Sequence, residues 1–129
     1  MKTSRLLLLG CVALSGLLAG CRSVLSPPDP RVTVGPELRR ALFVSRFLTQ
    51  QNDAGFTQIQ ATLQNLRRRT LRLQVRVDWF DAKGVVQESL TSNWRNVSVT
   101  RQTEYALKVT APNPQETDFR LYIHEAKRN

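Results

Sequence analysis

From Leu71 to Trp79 the chain alternates strictly. Leu71, Leu73, Val75, Val77 and Trp79 are apolar, and Arg72, Gln74, Arg76 and Asp78 stand between them. A period of two sends successive side chains to opposite faces of an extended chain, so this stretch predicts a long strand with one dry and one wet face. The pattern recurs. Ile59, Ala61 and Leu63 alternate with Gln58, Gln60, Thr62 and Gln64; Phe119, Leu121 and Ile123 alternate with Arg120, Tyr122 and His124. Tyr105, Leu107 and Val109 predict a further strand, and Val97 with Val99 a shorter one. One wet face per strand is what antiparallel sheets covered on a single side require.

Turn signals separate these runs. Asn52-Asp53-Ala54-Gly55 and Asp81-Ala82-Lys83-Gly84 each end in a glycine able to take positive φ. Asn65-Leu66-Arg67-Arg68-Arg69 joins two strands, and the prolines of Ala111-Pro112-Asn113-Pro114 cannot donate into a ladder. Pro36-Glu37 has the form of a helix start, but Phe43, Val44 and Phe47 favour a strand from Ala41 to Thr49. Short strands at this spacing, without a sustained helical period, predict an all-β fold: an immunoglobulin-like antiparallel β-sandwich of about seven strands over residues 37–129.

The first twenty residues follow a different rule. Lys2 and Arg5 precede an apolar run from Leu6 to Ala19, too short for the ~20 residues of a spanning helix. Its end, Leu18-Ala19-Gly20-Cys21, resembles the lipobox of bacterial lipoproteins, in which the cysteine is acylated and the chain is cut just before it. Cys11 is the poorer candidate, because only Leu6 to Leu9 would remain as an apolar segment. Residues 1–20 are thus expected to be a signal peptide and Cys21 the lipidation site. Residues 21–36, with Pro27, Pro28 and Pro30, are expected to be a semi-rigid tether. Arg22 after the cysteine is not the Asp that resembles an inner-membrane retention signal. The expected address is the periplasmic face of the outer membrane of a Gram-negative bacterium, held by the lipid.

Charge adds a partner class. Lys and Arg number 19 against 10 Asp and Glu, and losing Lys2 and Arg5 with the signal leaves a net charge of +7. A basic surface attracts anionic ones. In an envelope these are lipid headgroups, lipopolysaccharide phosphates, cell-wall carboxylates or acidic protein domains; the signal argues against nucleic acid. Arg67, Arg68 and Arg69 form the densest run, and Arg72 and Arg76 would extend it along the wet face of the following strand. Guanidinium forks suit phosphate and carboxylate groups.

Catalytic sets are hard to assemble. His124 is the single histidine, and Cys21 is the only cysteine left after cleavage, so zinc and thiol chemistry lack donors and no disulfide framework is available. Asp78 with Asp81, and Glu116 with Asp118, are paired carboxylates, but such residues commonly cap turns, and a small sandwich implies no cleft between them. Trp79 continues the dry face and reads as core. Phe80, with Trp94, Phe43 and Phe47, could form an exposed apolar contact patch. The expectation is a non-enzymatic module without cofactor or metal.

Three stretches carry a likeness to known proteins. Gln60-Ala61-Thr62-Leu63-Gln64-Asn65, Asp78-Trp79-Phe80-Asp81-Ala82-Lys83-Gly84 and Ala111-Pro112-Asn113-Pro114-Gln115-Glu116-Thr117-Asp118-Phe119-Arg120-Leu121-Tyr122 resemble the YcfL-type lipoproteins of Gram-negative bacteria, over about residues 31–125. The resemblance implies a lipid-anchored envelope protein with one β-sandwich domain and no assigned enzymatic activity. The expected role is a binding or adaptor module for an envelope protein; the alternative is a binding module for peptidoglycan or lipopolysaccharide.

Overall fold

The alternation from Leu71 becomes the central strand of the molecule. The computed structural model describes residues 29–127. Its strands are β1 (Val32–Val34), β2 (Leu42–Gln51), β3 (Thr57–Asn65), β4 (Leu71–Asp81), β5 (Val86–Gln87), β6 (Arg95–Val99), β7 (Glu104–Thr110) and β8 (Glu116–Glu125). The helical pieces among the described residues are single 3-10 turns at Pro36–Leu38 and Leu90–Ser92. One sheet has the order β1-β8-β4-β5, with β6 also paired to β4; the other is β2-β3-β7.

The dry faces of the two sheets meet. Leu71, Leu73, Val75, Val77 and Trp79 of β4 and Phe119, Leu121 and Ile123 of β8 are almost wholly buried, opposite Ile59, Ala61 and Leu63 of β3 and Leu107 and Val109 of β7. Each Val, Leu, Ile or Phe of this set stabilises the fold by roughly 1.5–3 kcal/mol. Trp79 is core as expected, and its indole N–H donates to Thr91 Oγ1 at 2.9 Å. The all-β sandwich predicted by the alternation is the architecture observed, with eight strands.

Two segments depart from the sequence reading. Val32–Val34, inside the stretch read as tether, is a strand. It pairs with β8 in parallel, Val32 beside Leu121, and so differs from the antiparallel rule followed by the other ladders. Its ends are fixed by hydrogen bonds from Leu121 N–H to Arg31 O and from Gly35 N–H to Ile123 O. The folded body therefore begins before residue 37. The second departure is Pro36–Phe47. The Pro-Glu signal makes only one 3-10 turn, burying Leu38, and β2 follows. In β2, Val44 lies opposite Leu63 and Arg46 opposite Thr62, leaving Ser45 as an extra residue. That bulge shifts the phase, so that Val44 and Phe47, three apart, both face the core.

Candidate functional site

Strand registers gather three loops at one end of the sandwich. β2 starts where β3 ends, Leu42 opposite Asn65. β7 starts beside the same point, and β4 starts where β6 ends, Leu71 opposite Val99. β8 finishes there too, with Glu125 opposite Leu73. This pole receives Arg39 and Arg40 from the loop before β2, Arg67, Arg68 and Arg69 from the β3–β4 loop, Arg101 from the β6–β7 loop, and Lys127 after β8. The acidic residues there are Glu37, Glu104 and Glu125.

The loops are tied together by Asn65, whose side chain is 1% exposed. Its amide nitrogen donates to Arg69 O at 2.8 Å, Val99 O at 3.0 Å and Thr100 O at 3.2 Å, and its amide oxygen accepts from Arg67 N–H at 2.9 Å. Backbone bonds complete the knot: Leu66 N–H to Ala41 O, Asn65 N–H to Thr103 O, and Gln102 N–H to Arg67 O. A buried amide with both its nitrogen and its oxygen engaged fixes its neighbours, because losing any partner strands a polar group away from water. The arginines of the pole thus stand on a rigid base. Sequence reasoning missed Asn65, although it falls on the same phase as Ile59, Ala61 and Leu63.

The five arginines expected to form one patch are divided. Arg67 pairs with Glu125 at 2.8 Å and Arg69 reaches the same carboxylate at 3.4 Å. Arg76 lies farther along β4 and is clamped by Asp78 through two hydrogen bonds of 2.8 and 3.2 Å. Those bonds, more than any other influence, raise its affinity for the proton above the ordinary guanidinium value. Arg76 is therefore not part of the basic pole. Arg68 and Arg72 are exposed and make no ion pair among the described residues, and neither do Arg39, Arg40 and Arg101, which the linear sequence did not associate with them. Cys21, the expected lipidation residue, lies outside the described residues.

The remaining candidates have separate places. Asp118 accepts from Arg120 and faces Arg31 at 3.6 Å. Asp81 caps the turn that follows it, accepting the N–H groups of Lys83 and Val85. Glu116 is buried, since a register shift beside it leaves Thr117 unpaired and turns its side chain inward. Burial raises its pKa against the opposing bond from Asn113, and its Oε2 has no hydrogen-bond partner among the described residues. The four aromatics do not form one patch. Phe47 packs on Phe119 with ring centroids 5.8 Å apart, Phe43 lies half-buried on the outer side of β2, and Phe80 lies under Arg120. Trp94 stands with His124, ring centroids 5.4 Å apart.

The described chain begins at the other pole. β1 runs parallel to β8 toward the basic end, and the residues before it sit beside Asp118. Asp29 binds Arg31 through both carboxylate oxygens, and these bonds hold its carboxyl below the ordinary range.

A family model described as "Protein of unknown function (DUF1425)" matches residues 31–125. Among solved structures, that of Campylobacter jejuni cj0090 has 23% identity and a TM-score of 0.65, covering 76% of this chain and 100% of its own. That likeness bears on the fold alone. A DUF1425 family member from Shewanella sp. pv-4 has 26% identity and a TM-score of 0.58, covering 68% of this chain and 81% of its own. No curated protein matches the chain.

Proposed function

We propose a function from the geometry of the basic pole, because the chain belongs to the DUF1425 family, a family of proteins of unknown function. The reading is a lipid-anchored, non-enzymatic binding module of the bacterial envelope that docks an anionic partner on Arg39, Arg40, Arg68 and Arg101. One observation carries it: four exposed guanidinium groups, free of ion pairs among the described residues, stand on three loops joined by the Asn65 side chain and by the Leu66 N–H to Ala41 O bond. Loops already ordered before binding leave only the side chains to be immobilised, which favours recognition over diffuse attraction.

The lipobox-like Leu18-Ala19-Gly20-Cys21 and the likeness to YcfL-type lipoproteins support the anchor, and Arg22 supports an outer-membrane address. No helix of the described residues is long and apolar enough to cross a membrane. The eight residue steps from Cys21 to Asp29 span at most about 28 Å. An anchor there would keep the opposite pole near the bilayer and turn the basic pole away from it. A cell-wall polymer or an acidic protein domain then fits better than the headgroups of the anchoring membrane.

The test replaces Arg39, Arg40, Arg68 and Arg101 together by Ala and measures co-sedimentation with sacculi and with anionic vesicles at two salt concentrations. The expected result is at least about tenfold weaker binding to sacculi, with a shallower salt dependence. Equal binding by variant and parent at both salt concentrations would remove the basic pole from the function. Crosslinking in cells from the same loops separates a protein partner from a polymer.

A further inference from the structure

Beside the basic pole, the outer side of the β1-β8-β4-β5 sheet holds a cleft of about 560 Å³. It is lined by Glu37, Gln74, Trp94, His124, Glu125 and Lys127. Its volume falls within the ~300–1,000 Å³ of small-ligand sites. A second hollow on this sheet, about 250 Å³ around Arg76 and Asp78, falls below that range, and its guanidinium and carboxylate already neutralise each other.

The lining has an uncommon composition. Trp94 is 45% exposed, whereas Trp79 is fully buried. Packing explains one tryptophan and leaves the other with a large apolar surface in water. The side chains around it are polar. Gln74 projects from the wet face of β4, beside Asn96 on one side and His124 on the other. Neither the Gln74 amide nor the Trp94 indole N–H has a hydrogen-bond partner among the described residues. Glu37 is held in place by the Glu125 N–H, which binds its Oε1 at 2.9 Å, with His124 Nδ1 3.6 Å from the same oxygen. Burial works against its charged form, but that N–H and His124 hold its carboxyl below the ordinary range. Glu125 is already neutralised by Arg67 and Arg69.

An aromatic face ringed by amide, carboxylate, imidazole and ammonium groups matches one ligand chemistry closely. A pyranose ring presents a flat patch of C–H groups on one side and hydroxyls around its rim. Such a patch can stack on an indole face, and such hydroxyls can donate to a carboxylate and bond with an amide, the groups that Trp94, Glu37 and Gln74 supply. The two carboxylates argue against an anion inside the cleft itself. Arg72, two residues from Gln74 on the same face, lies toward the basic pole.

We propose that the cleft beside Trp94 is a saccharide subsite that stacks one uncharged pyranose ring of an acidic glycan, whose anionic groups reach the neighbouring arginines. The second half of that statement rests on the reading of the basic pole; the first half stands alone and is tested alone.

The probe is the uncharged tetramer of N-acetylglucosamine, which the arginines cannot attract by charge. It is titrated against the purified chain by calorimetry, with the indole N–H signals of Trp79 and Trp94 followed by NMR. The expected result is millimolar or tighter binding that moves the Trp94 signal and leaves that of Trp79 in place. Trp94→Ala should weaken binding about tenfold or more, and Trp94→Phe, which keeps a stacking face, should recover most of it. Trp94 lies outside the core, so both variants should keep the parent melting temperature. The four-arginine variant should bind the tetramer within twofold of the parent. Competition by soluble glycan strands of peptidoglycan or by lipopolysaccharide core sugars identifies the natural source. No tetramer binding at millimolar concentration, or equal binding by Trp94→Ala, overturns the subsite. If sacculi still bind the parent and not the four-arginine variant, the basic pole survives that failure.

Discussion

The two poles of the sandwich solve the same problem, closing strands into loops, by opposite means. At the pole where the described chain begins, each turn is self-sufficient. Asn52 accepts the N–H groups of Ala54 and Phe56, and Asp81 those of Lys83 and Val85, each with a glycine at positive φ inside the turn. Asn113 caps its own loop in a similar way. At the basic pole the bonds run between loops, through one buried amide and the backbone bonds around it. Local caps let a loop vary without disturbing its neighbours, whereas a shared knot makes three loops one object. The pole that bears Arg39, Arg40, Arg68 and Arg101 is the one built as a unit, which is what a recognition surface needs.

The largest expected effect follows from that contrast. Asn65→Ala removes four hydrogen bonds and leaves the carbonyls of Arg69, Val99 and Thr100 without that donor. It should cost ~3 kcal/mol in urea unfolding. It should also weaken sacculus binding several-fold at temperatures where the variant is folded. Val109→Ala, a core truncation away from the knot, should destabilise without weakening binding. A loss below about 1 kcal/mol for Asn65→Ala would show that the loops hold without their shared amide.

Why the knot was hidden in the sequence while the strands were not is a matter of range. Alternation over Leu71–Trp79 is a local signal, since each residue faces opposite to the next, and the burial of β3, β4, β7 and β8 follows it. The Asn-x-x-Gly and Asp-x-x-Gly turns are local too. β2 was ambiguous because the bulge at Ser45 changes the apolar spacing from two to three. β1 carries no local signal of its own, because prolines precede it and its pairing partner lies some ninety residues away. The basic pole was half legible: Arg67–Arg69 is a run, but Arg39, Arg40 and Arg101 join it only through strand register. Trp94 and Phe80 are alike in the sequence as aromatics off the dry face, and only the tertiary fold puts Arg120 over Phe80 and a cleft beside Trp94.

At the opposite pole the buried ionisable residue, among those described, is Glu116, and it is only half satisfied. Asn113 serves one carboxyl oxygen at 2.8 Å, and Oε2 has no hydrogen-bond partner among the described residues. Burial raises its pKa in the folded chain. A carboxyl raised by folding holds its proton more tightly when folded, so its contribution favours the folded state at low pH and is lost as pH rises through the folded value. Glu116→Gln removes the charge and keeps an oxygen for Asn113. The variant should be more stable than the parent by roughly 1–2 kcal/mol at pH 7. That advantage should fade as pH falls through the folded pKa toward the ordinary value of about 4.3. A Gln variant less stable at pH 7 would mean that the ionised carboxylate is serving a partner.

The smallest effect separates the poles by their backbone. Gly55 and Gly84 hold φ of +81° and +77° at the self-capped turns, while at the knotted pole the left-handed position is Gln102, with φ of +53°. An added Cβ at Gly84 meets no atom within 4 Å, so Gly84→Ala tests conformation alone. It should cost ~1 kcal/mol, the penalty of placing an L-residue in the left-handed region. Gln102→Gly relieves that penalty but frees the unfolded chain by a similar amount, so it should change stability by less than about 0.5 kcal/mol. Gln102 holds its conformation because its N–H is bound to Arg67 O, across loops. If the Gly84 and Gln102 substitutions shifted the unfolding midpoint equally, the distinction between self-capped and shared closure would not extend to the backbone.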